Sequence, residues 1–380
     1  MFKIERIAFA ACLAVGAVSL AADSPDPSRS AEQALERGWK YLAQQQGSDG
    51  GWHSQTYGQL KGGPGITSLV LYSFSRYPAQ MRAAHPELAK RGFAFFQPGL
   101  KLRGAPAATD GSLDYPTYAA AFWLTARQRL KLPAPPGEQD KMVRYLLSAQ
   151  LLESRGFAPD HPAHGGWDFL GAGEAQGITT GSNVSLAASI LEALAETNQT
   201  DAAAQKAREH ALAWLQRAQQ PDGGFSFTPE PASLNNKALF HDEKQLRPRS
   251  YGTATSDGLR ALIAAGLKTN DARVQKSVNW LVEHRSLDVV PGFEELPPEL
   301  GWQRGLRFYY YASLAEASRH FPPSERDARR RALLELLVRE QRAGGSWVNE
   351  SARMREDDPL IATSFALAAL GSILDEGPRK

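Results

Sequence analysis

Two kinds of helix-like segment alternate along the chain. One kind is apolar over much of its circumference. Ile361–Leu374 is dominated by Ala, Leu, Phe and Ile, and in Thr253–Leu267 the residues Leu259, Leu262, Ile263, Gly266 and Leu267 fall at helical spacing. The other kind keeps a charged face, as with Arg326, Arg329, Arg330 and Glu335 beside Leu333, Leu336 and Leu337. A helix apolar all round belongs in an interior, and one with a charged face belongs against solvent. No stretch alternates apolar and polar residues over the length of a strand. The pattern therefore predicts an all-α protein in two layers, buried inner helices and amphipathic outer ones.

The alternation divides the chain into six units, at about 31–80, 86–136, 138–198, 201–268, 271–322 and 324–376. The second helices fall near Ile66–Arg76, Tyr118–Leu130, Ser182–Glu196, Thr253–Leu267, Leu306–Ser318 and Pro359–Leu374. Neither end of the array carries a polar capping unit, which an open stack would need. Six pairs laid side by side can close into a ring and leave no apolar end exposed. The expected fold is a single (α/α)6 toroid spanning 31–380, with a long polar insertion, Thr228–Arg249, in unit four.

The turn between the two helices of a unit recurs with one chemistry. It reads Gln46-Gly-Ser-Asp49-Gly50-Gly51-Trp52, again Gln219-Gln-Pro-Asp222-Gly223-Gly224-Phe225, and again Gln341-Arg-Ala-Gly344-Gly345-Ser346-Trp347. Looser copies are Asp110-Gly111-Ser112-Leu113, His164-Gly165-Gly166-Trp167 and Pro291-Gly292-Phe293. Glycines let the chain leave a helix through angles other residues resist. The aromatic folds back as an apolar anchor, and the Gln supplies a neutral donor and acceptor to tie the turn down. Gln46, Asp49, Trp52, Trp167, Gln219, Asp222, Phe225, Gln341 and Trp347 are thus expected to be structural.

Gln-x-x-Asp-Gly-Gly-Trp resembles the repeat motif of the squalene/terpenoid cyclases and protein prenyltransferase β-subunits. Tyr309-Tyr310-Tyr311, Gly345–Glu350 and Asp358–Thr363 also resemble uncharacterised exported bacterial members of that group. The resemblance covers nearly the whole chain after its first residues and implies an α/α toroid with a central cavity for an isoprenoid. It implies an acidic Asp-x-Asp-Asp motif for cyclisation, and at that place this chain has Arg355-Glu356-Asp357-Asp358, with Arg in the first position. It implies an Asp, Cys and His zinc site for prenyl transfer, which needs a cysteine.

The only cysteine is Cys12, and it lies in a segment that reads as a signal peptide. Lys3 and Arg6 precede the apolar run Ile7–Leu20, and Ser19-Leu20-Ala21 offers small residues for cleavage. The run, about 14 residues, is short of the ~20 that span a bilayer. The expectation is export to a periplasmic or extracellular space, with residues 1–22 removed and 23–30 a flexible leader. Phe9-Ala-Ala-Cys12 also faintly resembles a lipoprotein cleavage site. A mature chain without cysteine has no disulfide, thiolate zinc site or cysteine nucleophile. A net charge of +2 over 380 residues gives no electrostatic reason to expect a nucleic-acid partner. No later run is apolar enough to span a membrane, and the protein is expected to be a monomer.

Candidate chemistry comes from three places. Asp257 lies about one turn inside the unit-four helix, off the Leu259–Ile263 stripe, where it reads as a lumen acid or as a partner of Arg260. Asp357 and Asp358 read as acids crowded by Glu356, although Asp358-Pro359 is also a favoured helix start. Tyr309, Tyr310 and Tyr311 span about 200° of a helix, so at least one is expected to face the lumen. Tyr118, Arg304 and Arg307 join them as candidate ligand contacts, with Tyr115 beside them. His161-x-x-His164 lacks a third ligand at a fixed offset, so no metal is expected, and no cofactor fingerprint is present.

Three readings remain open from the residues. The first is a cavity for a hydrophobic ligand, with or without acid-initiated chemistry in which Asp257, Asp357 or Asp358 acts and the tyrosines stabilise a cation. The second is a non-catalytic envelope scaffold whose partner is another protein. The third is a polysaccharide-active hydrolase or lyase, which needs two carboxylates about 5–10 Å apart in a polar cleft. The lining of the lumen discriminates between them.

Overall fold

The protein was analysed as a computed structural model that describes residues 27–171, 177–230, 237–238, 240–242 and 247–375. The signal peptide assigned to 1–22, with Cys12, lies outside the described residues. So does much of the insertion. Residues 27–30, expected in the leader, form the start of the first helix.

The inner layer consists of α2 (Pro64–Ser75), α6 (Pro116–Leu130), α8 (Val184–Glu196), α10 (Gly252–Ala264), α12 (Arg307–Ala317) and α14 (Pro359–Leu374). The outer layer consists of α1 (Pro27–Gln44), α4 (Pro86–Phe95), α7 (Glu138–Ser148), α9 (Ala202–Ala218), α11 (Ala272–Glu283) and α13 (Pro323–Glu340). Two short helices were not expected: α3 (Ala79–Ala84) in the connection between the first two units and α5 (Gln97–Arg103) within the second. The insertion holds a small antiparallel ribbon, β1 (Phe240–Asp242) with β2 (Arg247–Pro248), also unexpected. Among the described residues no helix is long and apolar enough to cross a membrane.

Each inner helix packs on the next, and α14 packs on α2, so the ring is closed. The first outer helix, α1, packs on the last inner helix and on α13. The layers meet through aromatic contacts. Trp39 of α1 stacks on Phe74 of α2 at 4.2 Å, and Phe93 of α4 meets Trp123 of α6 edge-on at 5.8 Å. Pro64, Pro116 and Pro359 open their inner helices at the position where proline's missing N–H costs nothing. Asn183 and Asp358 cap α8 and α14.

The repeated turn is what ties one unit to the next. Gln46 Nε2 donates to Gly50 O at 2.8 Å within its turn and to Leu88 O in α4 at 3.0 Å. Gln219 does the same to Gly223 O and Arg273 O, and Gln150, the unit-three equivalent, to Gly165 O and Ala207 O. Gln341 donates to Gly345 O and to Ala34 O of α1, both at 2.8 Å, which joins unit six to unit one. The indole N–H groups of Trp52, Trp167 and Trp347 donate back to Leu42, Leu146 and Leu337 carbonyls at the end of the preceding helix. Asp49 and Asp222 accept from the N–H of Gly51 and Gly224. The glycine requirement is steric as well as conformational. Gly50 and Gly345 both have φ +91°, and a Cβ there would meet Arg91 O at 2.4 Å and Arg37 O at 2.5 Å. The neighbouring outer helix packs directly on the turn, and only glycine leaves room.

Candidate functional site

All six inner helices run in the same direction around the lumen. Their N-terminal halves enclose a chamber of about 570 Å³, within the range of small-molecule sites, about 300–1,000 Å³. Ile66 and Leu69 come from α2, Tyr118 and Phe122 from α6, Ser185 from α8, Thr253 and Asp257 from α10, Tyr309 from α12, and Ile361 and Phe365 from α14. Phe169, Phe227, Tyr251 and Leu306 complete the wall from the loops. The aromatics brace one another: Tyr118 stacks on Phe122 at 5.5 Å and Tyr309 meets Phe365 at 5.1 Å. These side chains reach the lumen because each sits in the first two turns of an inner helix on its ring-facing side.

Asp257 is the buried acid of this chamber, 1% exposed. Its Oδ2 accepts from Tyr309 Oη at 2.8 Å; its Oδ1 accepts from Ser313 Oγ at 2.6 Å and Arg260 Nη1 at 3.0 Å. Burial pushes its carboxyl above the ordinary range, against the pull of Arg260 and of the Ser313 and Tyr309 hydrogen bonds. Arg260 offsets Asp257 only in part, because its fork is also bound to Glu192 at 2.7 and 2.8 Å. A line of hydroxyls leads away from Asp257 across three helices: Tyr309 bonds Ser185, and Ser185 bonds Tyr118 at 2.5 Å. Since Tyr309 donates to Asp257, Ser185 donates to Tyr309 and Tyr118 to Ser185.

Glu356 and Lys237 are among the titratable groups of the chamber wall that the sequence reading had not assigned to it. Glu356 is fully buried and accepts from the N–H groups of Phe308 and Tyr309 and from Asn349 Nδ2 at 2.7 Å. Burial pushes its carboxyl up to about 7. Lys237, from the insertion, lies with Nζ 3.2 Å from the centre of the Phe227 ring, and burial lowers its ammonium to about 7. Glu356 was legible, as the residue before the acids singled out above. Lys237 had no local signal, because its partners Phe227 and Trp302 belong to other parts of the chain.

The candidate residues therefore separate. Tyr118, Asp257 and Tyr309 stand on the chamber wall. Asp357 and Asp358 do not. Asp358 caps α14 through Leu360 N at 2.9 Å and accepts from Ser54 Oγ at 2.5 Å, while Asp357 accepts from Tyr57 Oη at 2.5 Å. Both carboxylates are spent on holding the loops. Tyr310 is wholly buried against Gly252 between helices and packs rather than lines. Arg307 turns outward to Glu340 of α13 and to Tyr311 Oη, and Arg304 is exposed and paired with Glu350 at 2.9 Å. In Tyr309–Tyr311 only the first residue faces the lumen, as helical geometry requires of one residue in three. Among the described residues no group of three His, Cys, Asp or Glu side chains is placed to hold a metal.

The C-terminal halves of the same helices enclose a second chamber of about 770 Å³. Its residues include Arg129, Glu192, Glu196, Arg260, Glu316, Arg319 and His320. Arg76, fully buried, pairs with Glu316 at 2.5 Å and Glu192 at 3.6 Å.

No protein-family description matches this sequence, and no curated protein matches it. Solved structures of the same fold do. A variant of the type II terpene cyclase MstE from Scytonema, in complex with geranylgeranyl dihydroxybenzoate as substrate, superposes with a TM-score of 0.60 at 12% identity, covering 92% of this chain and 98% of that one. A protein from Actinoplanes gives 0.57 at 17% identity, covering 90% and 99%. A glycosidase variant in complex with glucose gives 0.56 at 14% identity, covering 91% and 97%. The chain thus has the α/α toroid of terpene cyclases and of glycosidases, and at these identities the likeness is one of fold.

Proposed function

We propose that this protein is an exported toroid that binds a hydrophobic ligand, an isoprenoid or similar lipid, in the chamber at the N-terminal ends of its inner helices, and that Asp257 initiates acid chemistry on it. The observation that carries this reading is a walled aromatic chamber with two buried, raised-pKa carboxyls, Glu356 held by backbone amides and Asp257 joined to a line of hydroxyls along the wall. Aromatic faces stabilise a developing carbocation, and a protonated Asp257 is the proton source. With Asp257 protonated the hydroxyl line runs the other way, from Asp257 through Tyr309 and Ser185 to Tyr118, and a proton that Tyr118 gives to the ligand is replaced along the line from Asp257, which ends ionised. The reaction class is an acid-initiated isomerisation or cyclisation that consumes no metal or redox cofactor. The apolar walls do not favour the polysaccharide reading, which needs a polar cleft, and an open chamber does not favour a purely structural scaffold.

The test is native mass spectrometry of protein purified gently from a bacterial envelope, followed by incubation with isoprenoid extracts. A lipid-sized adduct, absent in Leu69→Trp, supports the binding site. Conversion of the bound lipid that is lost in Asp257→Asn while the adduct remains supports the acid. A bare mass under all conditions overturns the proposal.

A further inference from the structure

We propose that the mouth of the aromatic chamber recognises an anionic headgroup, a carboxylate or a phosphate at the polar end of the hydrophobic ligand, and that Arg355 is the residue that meets it. The inference rests on the hydrophobic-ligand reading and adds the polarity of the ligand and the direction in which it enters.

Arg355 lines the chamber and is half-buried. Other arginines of the lumen are neutralised in place. Arg76 pairs with Glu316, Arg129 with Glu196, and Arg260 with Glu192 and Asp257. Among the described residues no carboxylate lies within ion-pair distance of Arg355. Its guanidinium instead donates to neutral groups, Tyr115 Oη and the amide oxygen of Gln59, which meets both terminal nitrogens, and its carbon lies 5.4 Å from the centre of the Tyr57 ring and 5.3 Å from that of Tyr115. The acids that follow it in sequence are engaged elsewhere: Glu356 by the first amides of α12, Asp357 by Tyr57 and Asp358 by its helix cap. A partly desolvated cation whose planar fork is met only by a neutral amide and a phenol favours exchanging them for a bidentate oxyanion.

The backbone points the same way. Arg355 has φ +62° and Tyr115 φ +47°, and these two residues touch each other at the chamber mouth. Left-handed conformations in residues of this size are costly and persist where the surroundings enforce them, which is most often at ligand-contacting positions. Here the strain is what turns the guanidinium of one and the phenol of the other toward the lumen. The six inner helices also turn their N-terminal ends, the positive ends of their dipoles, toward this mouth. A tail suited to the aromatic wall and a head suited to an unpaired guanidinium describe a single amphiphile, with its head at Arg355 and its chain reaching toward Asp257.

The experiment uses delipidated full chain titrated with three probes of one chain length: farnesol, farnesoic acid and farnesyl monophosphate. The acid or the phosphate is expected to bind about ten- to a hundred-fold more tightly than the alcohol, the range of charge-assisted hydrogen bonds. Whichever of the two binds more tightly identifies the head. Arg355→Asn, in which Asn tolerates the left-handed backbone, is expected to reduce that preference to near unity by weakening the acid and the phosphate far more than the alcohol. Arg355→Lys is expected to keep part of it. Equal binding of acid, phosphate and alcohol by the wild type overturns the headgroup site but leaves the hydrophobic cavity standing. A preference that survives in Arg355→Asn and disappears in Lys237→Met overturns the assignment to Arg355. Failure of all three probes to bind overturns the hydrophobic-ligand reading itself.

Discussion

The two ends of the lumen are built from the same six helices and have opposite chemistry. The N-terminal halves supply Leu69, Phe122, Tyr309 and Phe365 around about 570 Å³. The C-terminal halves supply Arg129, Glu192, Arg260 and Glu316 around about 770 Å³. Because the inner helices are parallel, six sets of unpaired carbonyls converge at the second end, and cations are favoured there. Arg319 donates to Ser372 and Asp375 carbonyls and Arg330 to that of Ile373, while Glu192 and Glu316 balance the charge. The charged end reads as a stopper that satisfies helix ends, and the aromatic end is left free to bind. Asp257 and Arg260 mark the boundary, one helical turn apart, each facing its own chamber.

The sharpest way to break that comparison is to damage the stopper alone. Arg76→Met removes a wholly buried cation from between Glu316 and Glu192, which keep Arg319 and Arg260 as partners but lose the charge that bridges them. It is expected to cost about 3–5 kcal/mol in denaturant unfolding, with ligand affinity at the aromatic end little changed in protein that remains folded. A comparable loss of affinity would show that the two ends are not separable.

The next test concerns the aromatic end. Glu356 has a folded pKa of about 7 against an ordinary 4.5, raised by burial. The folded state therefore holds its proton more tightly than the unfolded chain. The resulting stabilisation is fully present below about pH 4.5 and is lost as pH rises through 7. Relative to Glu356→Gln, the wild type is expected to lose on the order of 3 kcal/mol across that window. Unfolding free energies of the two proteins at pH 4.5 and 7.5 check this. Parallel pH curves would remove Glu356 as the titrating group.

The smallest expected effect lies outside both chambers. Gln341→Ala breaks the bonds to Gly345 O and Ala34 O that join the last unit to the first. A loss of about 1–2 kcal/mol is expected, read as a fall of a few degrees in Tm with both chambers intact. Amide exchange should rise first in α1 and α13. Exchange that rises instead around α6 and α8 would mean that Gln341 does not close the ring.

Much of this arrangement was legible before any coordinates. The inner helix boundaries follow the apolar runs to within a few residues, and Pro359–Leu374 coincides with its predicted span. Within the turn these residues do what their chemistry suggests, because those bonds span only a few positions; the second bond of each Gln, to Leu88, Arg273 or Ala34 of the neighbouring unit, had no local signal. The insertion ribbon and α3 had no periodic signal to betray them. The site was less legible. Asp257, Tyr118 and Tyr309 could be picked out as polar groups on apolar helices, but Tyr310 and Tyr309 look identical in sequence and differ by about 100° around α12. Asp357 and Asp358 looked like the acids of the motif, and their carboxylates are occupied by Tyr57 and Ser54, some 300 positions away in the chain.

The sequence by itself determined the two helix types, their number of pairs and the turn that links them. These are consequences of periodicity, glycine and proline placement, and local hydrogen bonding, all settled within short stretches. Only the tertiary structure decided which carboxyl is buried in the lumen, which arginines are neutralised, and that Lys237 and Arg355 share a chamber with Asp257. Those outcomes depend on desolvation and on distances between residues far apart in the chain, which no local pattern records.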